Sequence, residues 1–121
     1  MIKKTIKYVD FNGVERTEEC YFNLTKAEIS ELELSIDGGY SNMLTTVAES
    51  GDNNKILQAF KDMIRMSYGV KSEDGRRFMK TDSMFEEFAQ TEAYSELFMS
   101  LISDAEAGEE FINGIMPMAS K

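Results

Sequence analysis

The only thiol in the chain is Cys20, held between Glu19 and Tyr21, and no histidine is present to act on it as a base. A nucleophilic thiolate needs a lowered pKa, and an adjacent carboxylate raises it instead, so Cys20 reads as a structural residue. The absence of histidine and of a second cysteine excludes imidazole acid–base catalysis, His–Cys zinc sites and an internal disulfide. Carboxylates are abundant but poorly placed to converge. Glu86-Glu87 and Glu109-Glu110 are neighbours on predicted helices, where successive side chains point about 100° apart. Gly38-Gly39 lacks both the Gly-Lys-Ser/Thr ending of a phosphate loop and the spaced glycines of a dinucleotide fingerprint. Lys71, Arg76, Arg77 and Lys80 gather positive charge in residues 70–81, and two readings stay open there: an exposed loop whose bases pair with nearby carboxylates, or an anion site. The same run lacks the ligand spacing of a calcium loop. No catalytic, cofactor or metal constellation emerges, and binding rather than catalysis is the expected activity.

Charge narrows what can be bound. Thirteen basic residues against 22 acidic ones leave a net charge of −9, which opposes phosphate backbones and anionic lipid, so neither nucleic acid nor a membrane is an expected partner. Nine of the acids lie between Lys80 and Lys121 with no base among them. That segment is either a solvated helical face or a surface that steers a basic partner. The nine methionines fit a forgiving core or an adaptable binding surface. Lysines interrupt the apolar residues of Met1–Lys7, and no run approaches the ~20 apolar residues of a membrane span, so a cytoplasmic chain is expected.

These residues need elements to position them, and 121 residues suit one domain, read as 1–121. Residues 1–24 predict a β-hairpin: Ile6 and Tyr8 fall on one face, Asn12-Gly13 suits a tight turn, and Cys20, Phe22 and Leu24 line one face of the second strand. A lone hairpin is marginal in water, so this one must pack on helices or lend its edge to another chain, and self-association is expected. Residues 25–69 predict helices. Thr25 and Glu28 stand at capping-box spacing before Ile29, Leu32 and Ile36; a short helix covers 40–50; a stronger one starts at Asn54, carries Ile56, Phe60, Met63 and Ile64, and stops at Gly69. Residues 70–81 read as a loop.

Residues 82–117 predict an acidic helical segment. Asp82 or Ser83 caps its start, Tyr94, Leu97, Phe98, Leu101 and Ile102 form its widest apolar face, with Leu97 and Phe98 at the centre, and Ser103 with Glu106 repeats the capping-box spacing. The last helix sets Phe111, Ile112, Ile115 and Met116 beside Glu106, Glu109 and Glu110, and these seven are the candidate partner-binding residues. Either the apolar flank serves a groove for an amphipathic partner helix whose bases the acids steer, or the helix closes the core beneath solvated acids. The expected class is α+β, mostly α: an N-terminal β-hairpin followed by a bundle of about five helices.

Four stretches in order, Tyr21 to Glu28, Ser67 to Phe78, Phe88 to Phe98 and Phe111 to Pro117, together resemble the tail assembly chaperones of long-tailed bacteriophages and prophages of Gram-positive hosts. The resemblance covers nearly the whole chain and contains no catalytic signature. It implies a protein that binds the long, helical tape measure protein, keeps it soluble, helps recruit tail tube subunits, acts in the host cytoplasm and is missing from the finished virion. It also implies a longer product made by translational frameshifting. The other reading is a different virion component, such as a head–tail joining or tail completion protein.

Overall fold

A computed structural model describes residues 1–116. Pro117, the expected end of the acidic segment, lies outside the described residues. In chain order the elements are β1 (Ile2–Val9), β2 (Glu15–Phe22), α1 (Lys26–Leu34), α2 (Tyr40–Ser50), α3 (Asn53–Ser67), β3 (Tyr68–Lys71), β4 (Phe78–Met79), α4 (Asp82–Ala89), α5 (Glu92–Ser103) and α6 (Ala105–Ile115). The α+β, mostly helical class holds, with six helices among the described residues.

The hairpin forms as its alternation requires. Ile6, Tyr8, Cys20 and Phe22 turn inward and are buried, while Lys3, Thr5 and Lys7 face out. Its turn spans Asp10 to Val14, with Gly13 at φ 81°. The Asp10 carboxylate braces it, accepting from the backbone N–H groups of Asn12 and Val14 and from Arg16 Nε at 2.6 Å. The hairpin is not alone, however. Tyr21 and Phe22 pair with Gly69 and Tyr68, and β3 pairs in turn with β4, giving an antiparallel sheet in the order β1-β2-β3-β4. The expected loop over 70–81 is therefore in part a second hairpin, whose strands are too short to show a period of two in the sequence. With four strands, the argument that a marginal hairpin must seek another chain loses its premise. The long free edge, β1, carries Lys3, Lys4 and Lys7, which disfavour edge-to-edge pairing.

Caps place the helices. Thr25 and Glu28 form the expected box at α1, and the Asp52 carboxylate accepts from Asn54 and Lys55 at the start of α3. Two expected caps move by one residue: Thr81, not Asp82 or Ser83, accepts from Met84 N–H, and Asp104, not Ser103, accepts from Glu106 and Ala107 at α6. In each case a neighbouring side chain of the preferred type already stands in extended backbone, where the cap geometry is available.

Helices pack on the inward face of the sheet. Phe22, fully buried, has Phe111 edge-on at 5.3 Å and Phe88 edge-on at 6.2 Å, and Tyr68 stacks on Phe88 at 4.3 Å. Leu97 and Leu101 of α5 join this core, but Phe98 is only half-buried and stacks on Tyr94 at its margin. The centre of the α5 stripe is therefore Leu97 and Leu101, because the face that meets the sheet is narrower than the apolar face in sequence.

Candidate interaction surface

Cys20 is buried, and burial followed by the nearby Glu18 carboxylate pushes its thiol up to about 11, so it stays protonated at neutral pH. Glu18 itself accepts from the Tyr8 hydroxyl at 2.5 Å. Among the described residues no cluster of carboxylates, thiols or imidazoles is placed to hold a metal ion, and no helix is long and apolar enough to cross a membrane. The basic run at 70–81 also disperses: Lys80 turns inward to Glu28, Lys71 lies over the Tyr21 ring, and Arg76 and Arg77 sit exposed at the second hairpin.

The seven candidate residues of the last helix separate into two groups. Phe111, Ile115 and Met116 lie inside the core, with Phe111 and Met116 fully buried, so they offer no free surface to a partner. Their burial follows from α6 closing over β1 and the Phe22 cluster. Glu106, Glu109 and Glu110 are exposed, and Ile112 is half-buried. Of these, Glu109 and Ile112 come together at an open apolar groove of about 390 Å³ between α2, α3, α5 and α6. Val47 and Ala48 of α2, Ile56 and Phe60 of α3, Ile102 of α5 and Ala105 of α6 also line it. In the sequence the spacing of Ile56 and Phe60 in α3 reads as core, and Val47 and Ala48 of α2 only as part of a short helix. The signal that could have found the groove was a surplus of apolar helix positions over what one small core needs.

Gly108 lets α6 pack closely against Phe60 and Leu101, two residues that line the groove. A Cβ there would stand 2.7 Å from Phe60 Cζ and 2.9 Å from the Leu101 carbonyl oxygen, so α6 crosses α5 more closely than a side chain permits. Alanine would add ~1 kcal/mol of helix propensity. The ring tip can shift, but the backbone oxygen cannot, and overpacking of this kind costs about 1–3 kcal/mol. Gly108→Ala is expected to be net destabilising in urea unfolding; a rise in midpoint would contradict the close crossing.

A second apolar display lies outside this groove. Phe11 is 77 % exposed at the tip of the first hairpin, flanked by Val9 and Val14 and facing the α4–α5 junction near Gln90 and Thr91. Isolated exposed apolar side chains are ordinary, and the hollow beside this tip is lined mainly by polar and charged residues, unlike the α2–α3–α5–α6 groove.

No curated protein and no solved structure shows a significant match to the chain. Residues 1–119, almost the entire length, match the family model for phage tail assembly chaperones. The chain belongs to the phage tail assembly chaperone family.

Proposed function

We propose that this chaperone acts by binding the tape measure protein, keeping it soluble and helping recruit tail tube subunits around it, in the host cytoplasm and without remaining in the finished virion. The observation that carries this reading is the nearly full-length family match, which fixes the process in which the chain works. The physical features agree with a binding role. An open apolar groove offers contact area to a helical client, and an acidic exterior keeps a complex with an aggregation-prone chain dispersed. Assembly by binding requires no reactive side chain.

Co-expression with the tape measure protein tests the reading. The chaperone is expected to move the tape measure protein from the pellet to the supernatant and to co-purify with it, while purified virions lack the chaperone. A tape measure protein that stays insoluble, together with chaperone retained in purified particles, would favour a head–tail joining or tail completion component instead.

A further inference from the structure

The groove between α2, α3, α5 and α6 has a definite charge character as well as a shape. We propose that it seats one amphipathic helical segment of the client, which inserts two or three large apolar side chains and sets a lysine or arginine against Glu109. The proposal rests on the reading of the chain as a chaperone for the tape measure protein, and names the kind of segment that the client presents.

Shape comes first. The groove's volume of about 390 Å³ takes a few side chains rather than a whole helix, as when a helix anchors itself through positions i, i+3 or i+4, and i+7. Two of its lining residues, Ala48 and Ala105, are small and exposed. A helix can therefore lie across the opening with its apolar side chains pointing down.

Charge then selects among helices. Among the described residues Glu109 is the one charged residue lining the groove, and no lysine or arginine lines it. At about 100° per residue, Ala105, Glu109 and Ile112 share one stripe of α6, whereas Glu106 and Glu110 stand roughly 60–100° further round, toward solvent. The three acids of α6 are thus inequivalent: Glu109 can pair with a docked base, while Glu106 and Glu110 act at longer range on encounter. An acidic client helix would bring like charge against Glu109. That argues against a helix from a second copy, because the exposed apolar side chains of this chain's own helices, Leu34 and Met99, sit among Glu31, Glu33 and Glu96.

Two synthetic helical peptides test this, each about 18 residues long, above the length at which isolated helices are marginal. Both carry one leucine stripe, flanked by lysines in one and by glutamates in the other. Titrated into the full chain and followed by NMR shifts, the lysine peptide is expected to perturb residues around Ala48, Ile56, Ile102 and Ile112. It should bind about tenfold more tightly than the glutamate peptide, an advantage that shrinks with added salt. Glu109→Lys should remove that advantage, and Glu110→Lys, an equal change in net charge, should largely retain it. Ala105→Tyr and Ala48→Tyr each place a ring at an exposed lining position of the groove without deleting a core side chain. Either variant that keeps the wild-type melting temperature should lose peptide binding. Shifts centred on the Phe11 tip, equal affinity for the two peptides, or a wild-type oligomer that falls to monomer in Ala105→Tyr would overturn the proposal.

Co-expression separates this inference from the reading beneath it. If wild type and both folded tyrosine variants solubilise the tape measure protein equally, the groove is not its seat and the chaperone reading stands. If wild type does not solubilise it at all, the reading fails and the client named here fails with it.

Discussion

Phe111→Ala is expected to lower stability by about 3–5 kcal/mol, the range for deleting a buried aromatic ring. The side chain is fully buried and meets Phe22 edge-on at 5.3 Å, and Phe22 in turn contacts Tyr68 and Phe88. Removing the ring opens a cavity between α6 and the sheet, and it also deletes an aromatic pair worth about 0.5–1.5 kcal/mol beyond its area. Since whole domains are stable by only ~5–15 kcal/mol, much of the variant should partition into the insoluble fraction at 37 °C. Phe98→Ala is the control. Phe98 is half-buried at the margin, so its loss should be distinctly smaller in urea unfolding of the two variants side by side. The comparison decides between the two roles that the last helix could play. A folded Phe111→Ala chain with an unchanged unfolding midpoint and no grip on its client would make Phe111 a contact residue after all, and the core described here would be wrong.

What the sequence disclosed depended on how local each signal was. The Thr25–Glu28 capping box spans one helical turn, and the alternation around Ile6 and Tyr8 spans one strand, so both are visible in a short window and both are present. The hairpin over residues 68–79 escaped because four-residue and two-residue strands carry no period, and the pairing that joins β3 to the first hairpin, Tyr21 with Gly69, crosses 48 positions. The same limit governed the last helix. An amphipathic pattern shows that Phe111 and Ile112 differ in facing from Glu110, but which apolar residues meet the core and which border a groove depends on what packs opposite. Gly108 illustrates the point: in sequence it is an ordinary weak spot in a helix, and in the fold it is the place where α6 touches Leu101 and Phe60.

Lys80→Met is the second substitution expected to have a large effect, and its cause is also invisible locally. Lys80 Nζ donates to the Asn23 carbonyl at 2.9 Å, to the Met66 carbonyl at 3.0 Å and to Glu28 Oε2 at 2.7 Å. One ammonium thereby joins the end of β2, the end of α3 and the capping box of α1 to the segment that enters α4. Methionine keeps most of the apolar stem but withdraws all three hydrogen bonds. Two part-buried carbonyls lose a donor, and Glu28 loses its counter-charge. The Lys80 side chain is 20 % exposed and Glu28 39 % exposed, so water screens the ion pair, and the cost falls below the ~3–5 kcal/mol of a fully buried pair: about 2–3 kcal/mol. The pH dependence identifies the mechanism. Burial alone pushes the Glu28 carboxyl up, but the Lys80 ammonium and the Thr25 backbone N–H outweigh it and hold the group below the usual glutamate value of 4.5. A carboxyl lowered by folding stabilises the folded state at pH values above its unfolded pKa, and that contribution fades as pH falls through the folded value. The stability gap between wild type and Lys80→Met should therefore be widest near pH 7 and narrow on acidification below about pH 4.5, though not vanish, because the two carbonyl bonds do not titrate. Urea unfolding of both chains from pH 7 to pH 3 measures this. A gap that is constant with pH would mean that Glu28 contributes nothing through Lys80, and no gap at any pH would remove the lysine as the tie between the sheet and its helices.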